Sequence, residues 1–166
     1  MARVQTKPGD VFETAGTKNL LQLVAIDPVA MNSDVVAVYK QGVAIEQLGP
    51  DAPRPEFYTH TTTSEGVKQG LWQKVGNAAL PDVSQFVFKN YRSEEQNQLE
   101  AELDGQSKEG VSANWAIWSP DDSEWQLVDR NAGLDIKAEE GSIYPPDDVI
   151  YRINNGRSEF VTWPKN

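Results

Sequence analysis

Carboxylates are the side chains in this sequence best able to act in acid–base chemistry or to bind a cation. They are concentrated in one third of the chain. From Glu94 to Asp148 the chain has fifteen acidic and only three basic residues, a formal net charge of −12, whereas the whole chain has −10. The negative electrostatic potential of such a segment repels nucleic acid and anionic lipid and attracts a basic partner. A face that only keeps a protein soluble usually mixes charges of both signs. The pattern therefore favours a surface that binds a cationic protein.

Three of the five tryptophans, Trp115, Trp118 and Trp125, lie in the same acidic stretch. Aromatic anchors surrounded by charge are typical of tight protein–protein interfaces. In a β-hairpin, tryptophans more often belong to the core. Because Trp115 and Trp118 are three residues apart, a regular strand turns them to opposite faces. We therefore expect one of them to face outward, and Trp118 is our candidate anchor.

The predicted partner-binding surface combines seven acids of the acidic stretch with this one aromatic residue. Its members are Asp121, Asp122, Glu124, Glu139, Glu140, Asp147, Asp148 and Trp118. We predict no catalytic residue, no metal and no cofactor.

The single histidine, His60, is a weak candidate for a catalytic base. A Ser–His–Asp site needs a nucleophile beside the histidine. Successive strand residues face opposite sides, so Thr59 and Thr61 do not serve His60 locally. A lone histidine on a threonine-rich strand is most often a surface or half-buried residue. A hydrolase that uses two carboxylates stays open as an alternative, because the sequence does not show how far apart two acids lie across a cleft.

Metal and phosphate chemistry have no motif in this chain. The chain has no cysteine, which excludes disulfides, thiolate nucleophiles and cysteine zinc sites. Residues 121–124 are rich in oxygen ligands but lack the ligand spacing and central glycine of a helix–loop–helix calcium site. No glycine-rich phosphate loop is present.

Short segments rich in β-branched and aromatic residues must position these side chains. With about eight to ten strands at this spacing, we predict a mainly β (α+β) fold, either a bent antiparallel sheet or a partly open β-barrel, with one or two helices. The predicted strands are residues 11–14, 19–26, 35–39, 57–63, 71–75, 86–91, 115–118, 125–128, 149–153 and 158–163.

Turn and capping signals organise these segments further. Residues 115–128 predict a hairpin with a proline-led acidic turn. Residues 149–163 predict a final hairpin, because Asn155 and Gly156 form a strong hairpin-turn pair. Ser93, followed by acids in the first turn, predicts a helix through Leu103.

The length of 166 residues predicts a single domain, residues 1–166. The first residues lack the apolar core of a secretory signal. No apolar run approaches the ~20 residues that span a bilayer. We therefore expect a cytoplasmic protein that contacts neither membrane nor nucleic acid.

Several short motifs, in order, resemble the bacterial immunity-protein family numbered twenty-six. They are KPGDVF at residues 7–12, GLWQKVG at 70–76, WQLVD at 125–129 and GSIYP at 141–145, followed by residues 149–153 and Gly156. The residues from Glu94 to Glu109 match nothing in that pattern. The resemblance spans most of the chain and rests on segments that are mainly structural.

The resemblance implies a cytoplasmic antidote in a polymorphic-toxin or contact-dependent growth inhibition system. Such a protein binds a cognate toxin domain delivered by a neighbouring bacterium, and it has no catalytic residues. Many such toxins are nucleases, which are basic because they grip phosphate. The acidic bias is the complement that an inhibitor of a basic nuclease needs. The alternative is a β-sandwich module that binds carbohydrate or another small ligand on exposed tryptophans.

Overall fold

The computed structural model describes residues 4–92, 99 and 114–156. These residues form a five-stranded sheet, a four-stranded sheet and three α-helices. The five-stranded sheet has the order β4-β3-β2-β1-β5, with β1 Asp10–Thr14, β2 Leu20–Asp27, β3 Ser33–Val38, β4 Phe57–Thr61 and β5 Trp72–Asn77. The four-stranded sheet has the order β8-β7-β6-β9, with β6 Phe88–Arg92, β7 Asn114–Trp118, β8 Gln126–Asp129 and β9 Glu139–Glu140. The helices are α1 Thr63–Lys68, α2 Arg130–Asp135 and α3 Pro146–Asn155.

The predicted mainly β (α+β) fold is confirmed. All paired neighbours run antiparallel except β6 and β9, which run parallel. The strands form two bent sheets, and the described residues do not close them into a barrel. Single-residue register shifts in the β1–β5 and β2–β3 pairs mark the irregular positions, where bulges bend and twist strands.

β3 shows why the centre of the five-stranded sheet is buried on both faces. Its residues alternate between two apolar clusters: Val35 and Ala37 face the four-stranded sheet, whereas Val36 and Val38 face the helices. All four are at most 1% exposed. A continuous β-branched run without polar alternation is the pattern of a strand covered on both sides.

The two clusters define layers. Phe88 and Trp118 fill the space between the sheets. On the opposite face of the five-stranded sheet, Phe12 packs with Trp72 and with Val149 of α3. Full burial of each such side chain contributes about 1.5–3 kcal/mol to stability. α1 and α3 therefore cover one side of the molecule and the four-stranded sheet covers the other.

The predicted final hairpin is wrong, because its first half forms α3. Pro146 occupies the first helical turn, where its missing N–H costs nothing, and Asp147 is favourable beside the positive end of the helix. Val149 is buried in the helix-facing cluster, with Ile153 packed on it one turn later. Gly156 ends the helix in the left-handed conformation at φ 74°, so the Asn–Gly pair is a helix stop. The second predicted strand, residues 158–163, lies outside the described residues.

One further strand boundary differs from the prediction, and one predicted helix is not tested. The predicted strand at 57–63 ends at Thr61, and Thr63 begins α1. The helix predicted from Ser93 to Leu103 lies outside the described residues, apart from Leu99.

A glycine holds α2 against the outer face of the four-stranded sheet. A Cβ at Gly133 would overlap the ring of Trp115, and Lys89 Nζ donates to the Gly133 and Ile136 carbonyls, 2.9 Å from each. The close approach of α2 to the sheet thus depends on the absence of a side chain.

Gly133→Ala is expected to destabilise the protein by about 1–3 kcal/mol through overpacking. The sign of this stability change is informative, because alanine ordinarily stabilises a helix interior relative to glycine. Denaturant unfolding measures the change, and Asn131→Ala, at an exposed position of α2, is the matched control with a change of at most about 0.5 kcal/mol. A neutral or stabilising Gly133→Ala would contradict the packing described.

Candidate partner-binding surface

The turn between β7 and β8 is ordered by its own hydrogen bonds. The Asp122 N–H donates to the Ser119 carbonyl at 2.9 Å, and the Ser119 N–H donates to the Asp122 carboxylate at 2.7 Å. The Ser119 hydroxyl also donates to the Val83 carbonyl at 3.1 Å, which joins the turn to the neighbouring loop. Pro120 is buried. The predicted proline-led turn and its hairpin, in which Trp115 lies opposite Val128, are confirmed.

Three acids on this turn are exposed and carry uncompensated charge. Asp121, Asp122 and Glu124 are all exposed, and no lysine or arginine in the described chain forms a salt bridge with any of them. We call these three residues the acidic turn. Because the turn is fixed, its charges are held in one place.

The charge asymmetry persists in the described ranges. Residues 114–156 carry nine acidic and three basic residues, a net charge of −6, whereas residues 4–92 carry nine and eight, a net charge of −1. The other six acids of the stretch fall outside the described residues. They are Glu94, Glu95, Glu100, Glu102, Asp104 and Glu109.

Glu139 and Glu140 of β9 lie at the far edge of the same sheet and are engaged within the protein. Phe88 pairs with both Trp118 and Glu139, so Glu139 is level with the end of β7 at two strand spacings, about 10 Å. Arg152 donates to Glu139 at 2.7 Å, and the Tyr144 hydroxyl donates to Glu140 at 2.7 Å. The charge of Glu139 is thus compensated by Arg152, whereas Glu140 is held by neutral hydroxyl donors and keeps its charge.

Asp147 and Asp148 belong to the helix layer and not to the acidic turn. Both lie in the first turn of α3, where carboxylates stabilise a helix. Asp147 is exposed, but Asp148 is only 5% exposed, so Asp148 is not an accessible contact. The eight predicted residues therefore do not form one continuous surface.

Trp118 is not a surface anchor, and this prediction is wrong. It is 4% exposed, and Trp115 on the opposite face is 1% exposed. Both faces of β7 are covered: Trp118 packs between the sheets, and Trp115 lies under Gly133 of α2. A spacing of three residues turns one tryptophan outward only where one face of the strand meets water, and neither face of β7 does.

The other tryptophans give little support to a sugar-stacking surface. Trp72 is 2% exposed. Trp125 is half-buried, and the Arg92 guanidinium lies 4.6 Å from its ring centre. Trp163 lies outside the described residues.

A buried polar network joins the two sheets. One carboxylate oxygen of Asp27, Oδ2, lies 2.6 Å from His60 Nε2 and 2.8 Å from Trp118 Nε1. The other oxygen accepts the N–H groups of Val29 and Ala30 at 2.9 and 3.3 Å. A carboxylate only accepts, so Nε2 of His60 carries a proton. We call Asp27, His60 and Trp118 the inter-sheet network.

The ionisation of Asp27 reflects these contacts. Burial raises the pKa of Asp27, but the hydrogen bonds from His60 and Trp118, the charge interaction with His60 and the Val29 N–H together leave that pKa below its ordinary value. The carboxylate is thus held in its charged form by N–H donors from both sheets.

Sequence reasoning missed this network because its members are distant in the chain. The expectation that His60 is at the surface or half-buried is wrong: His60 and Asp27 are both 0% exposed. Among the described residues His60 Nδ1 has no hydrogen-bond partner, and the centre of its ring lies 4.0 Å from that of Phe88. With the ring enclosed, a substrate has no access to it. The available sequence signal for this network was Asp27, an acidic residue directly after an apolar predicted strand.

The described chain offers few other candidates for a ligand or metal site. A cleft of about 540 Å³ lies beside Tyr58, but Arg54 and Lys137 on its wall are balanced by Glu56 and Glu139. No three histidine, aspartate or glutamate side chains in the described ranges converge on a possible metal position. None of the described helices combines the length and apolar character needed to cross a membrane.

Comparison with known proteins gives no match: no family model, no curated protein and no solved structure is similar to this chain.

Proposed function

We propose that this chain is an immunity protein that binds and neutralises a cationic toxin domain, with a basic nuclease as the favoured class. The observation that carries the proposal is the acidic turn: Asp121, Asp122 and Glu124 are exposed, form no salt bridge within the described residues, and lie on a turn fixed by its own hydrogen bonds. The ordered motifs that resemble immunity-protein family twenty-six suggest the same class of protein.

The acidic turn would act first on the rate of encounter. Complementary surface charge steers diffusing proteins together and raises association rates above those of neutral pairs. A basic nuclease carries its positive charge in the cleft that grips phosphate. A turn of like charge to phosphate would be drawn to that cleft or to its rim and would compete with the substrate.

Co-expression tests the proposal directly. The candidate toxin is the C-terminal domain encoded immediately upstream, if that gene encodes a large secreted protein. Co-expression with this chain is expected to restore growth that the toxin domain alone abolishes, and the purified proteins are expected to form a stoichiometric complex. Unrestored growth together with no complex, for a toxin domain that is active and expressed, would contradict the proposal.

No described residue favours the carbohydrate-binding alternative, since three of the four described tryptophans are buried in the core. Titration of intrinsic tryptophan fluorescence with a panel of sugars is therefore expected to give no saturable change.

A further inference from the structure

β8, residues 126–129, is an edge strand of the four-stranded sheet. Within the described part of the chain it pairs only with β7. Alternate residues of such a strand direct their N–H and C=O groups away from the neighbour, which leaves a row of hydrogen-bonding groups open to another strand.

The core between the sheets ends at Leu127. Leu127 lies opposite Ala116 in the β7–β8 register, and residues opposite each other share a face of the sheet. Ala116 is 4% exposed in the cluster between the sheets, whereas Leu127 is 52% exposed. Leu127 therefore faces the core but is half exposed, because no strand of the described chain lies beyond β8 to cover it.

The charges at this edge select the kind of strand that could be added. The acidic turn precedes β8, and Asp129 ends it while its carboxylate accepts the Ala132 N–H at 3.0 Å. A second copy of β8 would bring like charges together, which opposes self-pairing. A strand bearing lysine or arginine has the complementary sign.

The other sheet has an edge that serves as a comparison. β5 is an edge strand of the five-stranded sheet, and its exposed Val75 is 44% accessible. Its charged residue is Lys74, which pairs with Asp10 at 3.0 Å, and it contains no acidic residue. β5 therefore offers an open edge without the attraction for a cationic segment.

We propose that β8 accepts an extended, lysine- or arginine-bearing segment of the protein partner as an additional antiparallel or parallel strand. This inference rests on the proposed function and specifies how the partner is held. Main-chain hydrogen bonds to β8 supply affinity in this mode of recognition, and alternate side chains supply specificity. One apolar side chain of the added strand covers Leu127, and its cations lie near the acidic turn.

Charged residues at a sheet edge also have a simpler role, which is to prevent aggregation. Three hexapeptide probes separate the two roles: alternating Lys–Val, alternating Lys–Pro and alternating Glu–Val. The first two have the same charge, but proline has no N–H and cannot complete a ladder. Each is titrated into the full-length ¹⁵N-labelled protein, and amide shifts and hydrogen-exchange protection are measured.

The Lys–Val peptide is expected to shift and protect amides of residues 126–129. The Lys–Pro peptide is expected to shift only the acidic turn, and the Glu–Val peptide neither region. Leu127→Ala is expected to weaken Lys–Val binding by about fivefold through lost apolar contact. Val75→Ala, the same kind of truncation at the β5 edge, is the control and is expected to leave it unchanged.

The two proposals fail in different ways. Equal binding of both cationic peptides, with no response at residues 126–129 and no effect of Leu127→Ala, would overturn strand addition and leave the acidic turn as a purely electrostatic contact. If neither cationic peptide shifted the acidic turn at any concentration, both the strand-addition inference and the steering role in the proposed function would be overturned.

Discussion

Asp27→Ala is expected to lower the free energy of unfolding by about 3–5 kcal/mol, the cost of removing a buried carboxylate from the donors that it pairs with. The substitution deletes the acceptor of four N–H groups, from His60, Trp118, Val29 and Ala30. The His60, Trp118 and Ala30 donors are buried and would be left without this acceptor, at a cost of about 1–3 kcal/mol each where no relaxation occurs. The two sheets would also lose their polar link. Urea denaturation followed by tryptophan fluorescence measures the change.

Asp51→Ala is the matched control, because Asp51 is exposed in the proline-rich loop. It should change stability by no more than about 0.5 kcal/mol. A decrease below about 1 kcal/mol for Asp27→Ala would show that the inter-sheet network contributes little. Trp118→Phe separates the effects further, since it keeps a ring in the core and removes one of the four donors.

The same carboxylate predicts a pH dependence with a defined sign. The pKa of Asp27 is lowered from the ordinary value of 3.8, so its charged form stabilises the native state. That contribution is complete above pH 3.8 and is lost as the pH falls through the lower pKa of the folded protein. The stability difference between the wild type and Asp27→Ala should therefore shrink below pH 3.8. A difference that grew with acid would contradict this sign.

Reversing the acidic turn is expected to slow association with the cognate toxin domain by about 10- to 100-fold at low ionic strength. The variant combines Asp121→Lys, Asp122→Lys and Glu124→Lys, which changes the net charge by +6. All three side chains are exposed, and none forms a salt bridge in the described chain. Because Asp122→Lys also removes the bond that its carboxylate accepts from the Ser119 N–H, circular dichroism first checks that the variant keeps the fold. Stopped-flow fluorescence at several salt concentrations gives the rate, and the difference should diminish as salt screens the charges.

A control with the same change in net charge distinguishes local from overall electrostatics. Glu46, Asp51 and Glu56 are also exposed but lie outside the acidic segment, and reversing them to lysine changes the net charge by +6 as well. This control should slow association much less. Equal slowing by the two triple variants would mean that only total charge matters and that the acidic turn has no special position.

Local sequence patterns predicted the strands well because burial and turn chemistry act over few residues. The β-branched run of β3 and the proline-led turn at residues 119–122 are both set by neighbours in the chain. The Asn155–Gly156 pair failed because a left-handed glycine serves both a hairpin turn and a helix end. Pro146 and the acids after it, the signals for a helix start, would have decided between them.

The site was predictable only in part because exposure depends on distant segments. The acidic turn followed from composition and turn residues. The burial of Trp118 did not, since it depends on the five-stranded sheet and on Gly141, where a Cβ would overlap the Trp118 ring. The pairing of His60 with Asp27 joins residues 33 positions apart, and the exposure of Leu127 depends on which strand lies at the edge.

The most direct test is a map of the surface that the cognate toxin domain covers, by chemical-shift and hydrogen-exchange changes of the full-length chain on complex formation. We expect the largest changes at residues 119–129, which include the acidic turn and β8. Changes centred instead on α1 and α3, with the acidic turn unaltered, would contradict this expectation.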